Sequence, residues 1–302
     1  MFKFSKEQSI FDISGVKVGG QPGQNPTVMI GSIFYFKQKL LKDDKTGEFD
    51  REAAETLLRN EEDLSRRTGN PRIVDVCASA PQAFPRLIDF VASTIEGPFT
   101  LDGINDQVRI AGLNYVKEVG LSNRAVYNSI APRATQEEIT ALKEAGVKSS
   151  ILLALNTKNP TVLGRIQALD ELLPIARRAG IENILVDTAN IDIPDPGPVS
   201  KAAYLVKEKY GLPAGAGTHN AVNMWRKRRK LEPEQHLMAS TVANILPIIM
   251  GASFSLYGPI ESAHEAYFYC GLADAYVAHA MRQEYKIDPL TREHPMYKIF
   301  RG

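Results

Sequence analysis

Phe99-Thr100-Leu101-Asp102-Gly103-Ile104 and Ala125-Val126-Tyr127-Asn128-Ser129-Ile130 are two short apolar runs with polar residues near their ends. A helix-like stretch, Asp106–Val119, lies between them, and another, Thr135–Ala145, follows. Runs this short and this apolar suit strands buried on both faces. Thr135 and Glu138 have the spacing of a capping box, and Gly146 follows the last periodic residue as a helix stop. Gly120 and Gly180 punctuate two further periodic runs in the same way. Strand, helix, strand, helix in strict order predicts parallel strands joined by helical crossovers.

Outward from this stretch the rhythm repeats. Strands are predicted at Thr27–Phe34, Arg72–Ala78, Phe99–Ile104, Ala125–Ile130, Ser150–Leu155, Asn183–Thr188, Ala214–Thr218 and Ile248–Leu256. Helices are predicted at Arg51–Arg67, Pro81–Thr94, Asp106–Val119, Thr135–Ala145, Thr161–Ala179 and Val199–Tyr210, with two more around Glu234–Leu246 and Ser262–Tyr285. Eight such alternations predict a closed (β/α)8 TIM barrel. The rival, a doubly wound open sheet, is weakened because no phosphate-type glycine loop follows the first strand. Ahead of the barrel, Phe11, Ile13, Val16 and Val18 alternate around Ser14-Gly15, the pattern of an N-terminal β-hairpin. Residues 1–26 are then hairpin and lead-in to one domain spanning residues 1–302. The long connection Tyr35–Asp50 reads either as a lid or docking surface or as a mobile surface loop.

Bulk properties narrow the function. A formal net charge of +1 gives no field to gather nucleic acid or an anionic membrane. No apolar stretch is long enough to span a bilayer, and the first residues have no apolar signal core. Two cysteines, Cys77 and Cys270, fit a reducing, cytoplasmic setting. The five histidines lack metal-ligand spacing, so no metal is expected.

In a parallel barrel, chemistry sits at the C-terminal strand ends. The polar residues predicted there are Asp75, Asp102, Asn128, Asp187, His219, Asn220 and Glu261, with Gly217 beside Asn220. No lysine or arginine stands among these strand-end residues, and a buried carboxylate is costly without a partner. Either structural pairing or a ligand with adjacent N–H donors would satisfy them. A pterin offers such an edge, its 2-amino group beside a ring N–H, to a carboxylate that accepts both. Asn amides, which donate and accept, suit the pterin carbonyl and ring nitrogens.

Several motifs carry a resemblance. They are Asp12-Ile13, Gly19-Gly20-Gln21-Pro22-Gly23, Pro26-Thr27-Val28, Gly31-Ser32-Ile33-Phe34-Tyr35, Thr68-Gly69-Asn70-Pro71, Tyr127-Asn128-Ser129-Ile130, Leu256-Tyr257-Gly258-Pro259-Ile260-Glu261 and the tail His294-Pro295-Met296-Tyr297-Lys298. With these the chain resembles the family of the H subunit of tetrahydromethanopterin S-methyltransferase and its bacterial relatives, the methylcorrinoid protein:tetrahydrofolate methyltransferases. The wider pterin-binding barrels hold the pterin with Asp, Asn, Asp and Asn on strands three, four, six and seven. The resemblance places those roles on Asp102, Asn128, Asp187 and Asn220, with Gly217 allowing close approach to the ring and Asp75 and Glu261 in support.

The resemblance implies methyl transfer between corrinoid cobalt and N5 of a reduced pterin. Asn220 is the expected group near N5, with a water held by Asp75 or Asp102 carrying the proton. The corrinoid-binding pattern Asp-x-His-x-x-Gly is absent, so a separate corrinoid protein is the expected partner. Tetrahydrofolate is the preferred pterin on the near-neutral balance and the Trp225 region, with tetrahydromethanopterin and a membrane-attached complex as the alternative. Dihydropteroate synthesis would need an Asp-x-Gly-Gly-x-Ser-Thr-Arg-Pro loop where Asp75-Val76-Cys77-Ala78-Ser79-Ala80-Pro81 stands.

Other features have two readings each. Arg226-Lys227-Arg228-Arg229-Lys230 is a solvated helix end or a contact for an anionic tail or an acidic partner. His219 is structural or a hydrogen-bond donor. Cys77 is a small buried residue with nothing beside it to activate a thiolate. The last long helix is apolar on more than one face, which reads as a homodimer contact or as a face covered by the C-terminal tail.

Overall fold

The computed structural model describes residues 1–191 and 194–300, with all their side chains except those of Lys227 and Arg228. The chain opens with an antiparallel hairpin, β1 (Ile10–Ile13) and β2 (Val16–Gly19). There follow β3 (Val28–Ile33), a second small hairpin of β4 (Leu41–Asp43) and β5 (Glu48–Phe49), and α1 (Arg51–Thr68). The body continues through β6 (Arg72–Ala78), α2 (Phe84–Thr94), β7 (Phe99–Gly103), α3 (Asp106–Glu118), β8 (Ala125–Ile130) and α4 (Gln136–Ala145). Next come β9 (Ser149–Leu153), α5 (Val162–Arg178), β10 (Asn183–Asp187), α6 (Gly197–Tyr210) and β11 (Ala214–Ala216). The chain ends with α7 (His219–Arg229), α8 (Pro233–Ile249), β12 (Phe254–Pro259), a 3-10 turn at Ile260–Ser262, α9 (Ala263–Tyr285) and α10 (Pro295–Ile299). Strands β3, β6, β7, β8, β9, β10, β11 and β12 pair in parallel and close on themselves as the expected barrel.

Alternation along each strand divides the barrel into layers. Val28, Ile30, Ile73, Val126, Ile151, Leu185 and Phe254 form one apolar cluster inside. Ile13 and Val18 of the N-terminal hairpin belong to the same cluster, so the hairpin plugs the lower end of the barrel. Two residues further along the strands the inward positions turn polar: Ser32 after Ile30, Asp75 after Ile73, Asn128 after Val126 and Asp187 after Leu185. The intervening residues, such as Ile33, Val74, Val76, Leu101, Tyr127 and Val186, pack outward against the helices. The barrel thus has a dry floor and a polar mouth.

The local signals of the sequence explain several helices. Thr135 accepts from the Glu138 N–H while the Glu138 side chain accepts from the Thr135 N–H, and Gly146 ends the helix at φ 68°. Thr135→Ala removes this cap and should lower stability by about 1 kcal/mol, read as an earlier denaturation midpoint with an unchanged slope.

One predicted element is corrected, and three other regions gain detail. The apolar run Ile248–Leu256 is not one strand: Ile248 and Ile249 finish α8, Gly251 turns the chain at φ 90°, and the strand starts at Phe254. Ile248 is buried beside Tyr267 and Cys270, and a buried helix end is as apolar as a strand. Helix α7, which carries the basic run, is an element that apolar periodicity does not announce. Lys227 and Arg228 of that run have side chains outside the described residues. The Tyr35–Asp50 connection is fastened at its root, because the Phe49 ring lies 4.7 Å from that of Phe34 and 4.8 Å from that of Phe90. Helix α9 buries one face (Ala266, Tyr267, Cys270 and Ala273 among them) and is partly covered by the tail, where Phe300 meets Tyr276 at 5.6 Å, yet Phe268 stays 65% exposed. Among the described residues no helix is long and apolar enough to cross a membrane.

Candidate functional site

Asp75 is the hub of the mouth. It is inward on β6, in register with Ser32 of β3 and Thr100 of β7. Its carboxylate accepts from Ser32 Oγ at 2.6 Å, from Asn128 Nδ2 at 3.0 Å, from Thr100 Oγ1, and more weakly from Cys77 Sγ at 3.6 Å. Four donors on one buried carboxylate leave it little to offer a ligand. Asp75 therefore fixes its neighbours, and above all it sets the Asn128 amide with nitrogen inward. The Asn128 amide oxygen accepts from no described residue.

Asp102 is in register with Cys77 on one side and Asn128 on the other. Its carboxyl is pushed up to about 8 by burial and by the nearby Asp75 charge, against the opposing pull of the Cys77 thiol and Arg109. Asp187 lies across the barrel on β10, where Oδ1 accepts from the Ala189 N–H at 2.8 Å. Burial pushes it up to about 6, opposed by that N–H and by Arg165. The cations that the strand ends lack come instead from the helices. Arg109 of α3 gives Nε and Nη2 to the Glu138 carboxylate, at 2.7 and 2.6 Å, and Nη1 to the Gly103 carbonyl. Arg165 of α5 gives its protons to the carbonyls of Thr188, Ala189, Thr161 and Pro160. Both guanidiniums are occupied elsewhere, so Asp102 and Asp187 feel them without pairing with them.

The other predicted residues lie further round the rim. Asn220 is exposed in the first turn of α7, not at a strand end. Gly217 is buried, yet an added Cβ would meet Asn220, His219 and Leu256 only at an ordinary 3.6 Å. Nothing in the protein itself demands glycine there. His219 Nδ1 meets the Leu256 carbonyl at 3.0 Å, and its ring packs on Gly258, so it ties α7 to β12. Glu261 sits in the 3-10 turn and accepts from Gln38 Nε2 at 3.0 Å and Tyr35 O–H at 3.2 Å. It joins the rim to the long first loop and makes no hydrogen bond with Asp75, Asp102 or Asn128. Ser32 and Thr100 join the site without a motif to mark them, although their parity with Asp75 and Asp102 along the strands makes them inward.

Asp75, Cys77 and Asp102 bring ligand atoms within 4.8 Å of one another. The donors already on Asp75 account for that cluster as a hydrogen-bonded one. Desolvation and the two carboxylates push the half-buried Cys77 thiol well up, and burial does the same to the fully buried Cys270. Both thiols should stay silent toward a disulfide reagent at pH 7.5 in the native protein and titrate after denaturation; a fast native reaction would contradict this environment.

Comparison with known proteins bears on the site. Residues 6–290 match the family described as Tetrahydromethanopterin S-methyltransferase MtrH subunit. The chain is 37% identical over 311 residues to the H subunit of tetrahydromethanopterin S-methyltransferase of Methanothermobacter thermautotrophicus, covering 99% of this chain and 100% of that one. It is 38% identical over 308 residues to the H subunit of the putative methyltransferase mtx of Methanosarcina barkeri, covering 98% and 99%. Solved structures of dihydropteroate synthase share the fold. The Xanthomonas albilineans protein aligns with a TM-score of 0.59 at 15% identity, over 89% of this chain and 98% of that one. The Yersinia pestis protein aligns with 0.60 at 14%, over 88% and 98%.

Proposed function

This chain belongs to the family of the tetrahydromethanopterin S-methyltransferase MtrH subunit, and on that premise we propose that it moves a methyl group between the cobalt of a corrinoid on a partner protein and N5 of a tetrahydropterin at the barrel mouth. The observation that carries this reading is the state of the inward acids. Asp102 and Asp187 are held up to about 8 and about 6 over an apolar floor, with no cation among the described residues paired to either. A ligand that brings adjacent N–H donors would restore what burial took from them.

On this reading Asp102, Asn128 and Asp187 grip the ring, and Asn128 does so with an amide already turned by Asp75. Gly217, without a side chain beside Asn220, lets the ring approach the backbone closely. Asn220 faces the reacting nitrogen, where an amide turns its oxygen toward N–H⁺ or its nitrogen toward a lone pair. The step is an in-line displacement at carbon, so the protein contributes alignment and control of the N5 proton more than bond-making groups. Asp75 has its lone pairs occupied, which leaves Asp102 as the acid able to hold a proton or a water near the ring. The names of the relatives favour tetrahydromethanopterin over tetrahydrofolate and a place in a multi-subunit methyltransferase. Pairing of two copies across the exposed Phe268 of α9 belongs to the same proposal.

Calorimetric titration of the isolated chain tests it. Tetrahydromethanopterin is expected to bind at least about tenfold more tightly than tetrahydrofolate, a difference of about 1.4 kcal/mol. The reverse order would favour the bacterial tetrahydrofolate reading, and binding of neither would sink the pterin assignment.

A further inference from the structure

Helix α7 leads away from the mouth with His219, Asn223, Arg226 and Lys230 spaced by four, three and four residues. That spacing puts His219, Asn223 and Arg226 on one side of the helix, over about 10 Å at about 1.5 Å per residue, and Lys230 follows just past its end, where the backbone turns at φ 49°. His219 and Asn223 line a cleft of about 530 Å³ between α7, α8, the end of β12 and the start of α9. Arg226 and His236 line this cleft and also a second one of about 350 Å³ that adds Lys230. The two make one groove, starting one residue from Asn220 and ending on cations.

The groove changes character along its length. Its middle carries Ser240 and Tyr269, with Asn244 buried behind them and engaged by Thr218, the Ser240 carbonyl and Tyr269, together with the carboxylates Glu234, Glu261 and Glu265. The hydroxyls and carboxylates can accept hydroxyl and amide donors, and the carboxylates repel an anion. At its far end Arg226 Nη1 lies 3.0 Å from His236 Nε2, which fixes the guanidinium between α7 and α8. Among the described residues no carboxylate pairs with Arg226 or Lys230. Unpaired cations at the end of a polar groove favour an anion that arrives on a neutral, hydrogen-bonding chain.

We propose that this groove seats the side chain carried by the pterin ring, with its neutral hydroxyl or amide stretch along the middle and its anionic terminus on Arg226 and Lys230. The assignment rests on the pterin reading above. It makes α7 a determinant of which tetrahydropterin the chain accepts, because an acid placed too early on the tail meets Glu261 and Glu265.

The test compares tetrahydromethanopterin with 6-methyltetrahydropterin, which has the ring and no tail, by calorimetric titration of the full chain. In the parent protein the tailed ligand should bind more tightly, with an advantage that shrinks as salt is raised from about 50 to about 500 mM. Arg226→Ala should reduce the ratio of the two affinities about tenfold, and Arg226→Lys should reduce it less. Binding of the tail-less ring reports that the mouth is still folded in each variant. A ratio unchanged by both substitutions would overturn the groove assignment while leaving the ring site standing. Failure of the parent protein to bind either pterin would overturn the pterin reading and the groove with it.

Discussion

Asp102→Asn is expected to weaken tetrahydropterin binding by at least about a hundredfold while raising the unfolding temperature above pH 8. The two effects share one cause. Burial and the Asp75 charge hold the free carboxyl at about 8, well above its ordinary value of 3.8. Between those two values the native state binds more protons than the unfolded chain. The contribution of Asp102 to stability therefore falls as pH rises through that window, and the full penalty is present above about 8. An amide carries no such penalty, so the stability difference should grow from pH 5 to pH 9. The same amide accepts one N–H and turns its own donors on the other, losing one charge-assisted hydrogen bond of about 1.5–3 kcal/mol and adding a clash of donors. A carboxylate kept at the expense of stability is the mark of a binding residue. The parent protein should also release most of a proton on binding pterin at pH 7, and much less at pH 9, because paired N–H donors favour the ionised acid. Titrations in buffers of different ionisation heat measure this. A variant that binds normally, or one that is less stable at high pH, would move Asp102 out of the site.

Asn220→Ala should cost about a hundredfold or more in turnover with little change in pterin affinity. Asn220 is exposed in the first turn of α7, and its side chain makes no hydrogen bond to the described residues. Its removal therefore leaves the mouth folded. On the proposed reading the loss is in the alignment of the amide with the reacting nitrogen, which is felt in the displacement step. Single-turnover rates beside dissociation constants separate the two quantities, and equal losses in both would show that Asn220 only binds.

The barrel was legible because its signals were local. Short apolar runs, the Thr135–Glu138 box and helix-stopping glycines each needed only neighbouring residues to be read. The polar ends of β6, β7, β8 and β10 were legible for the same reason, as each acid or amide breaks an apolar strand near its end. Helix α7 was not, because His219–Arg229 has no apolar periodicity and a basic run dominates it. The last strand was misplaced because Ile248 and Ile249 are as apolar at a buried helix end as they would be in a sheet. The environment of the acids was hidden too. Arg109 and Arg165 approach from helices that follow the strands, and nothing in their spacing announces that backbone carbonyls and Glu138 occupy them. Ser32 and Thr100 were recoverable in principle, since counting by twos from Ile30 and from Asp102 places both inside.

A crystal structure of the chain with tetrahydromethanopterin decides whether the pterin sits at the barrel mouth. The amino-pyrimidine edge is expected within about 3 Å of the Asp102 and Asp187 carboxylates and the Asn128 amide, with the ring over Gly217 and N5 facing Asn220. A pterin bound elsewhere on the chain, or one that leaves these acids without a hydrogen-bonded partner, would contradict it.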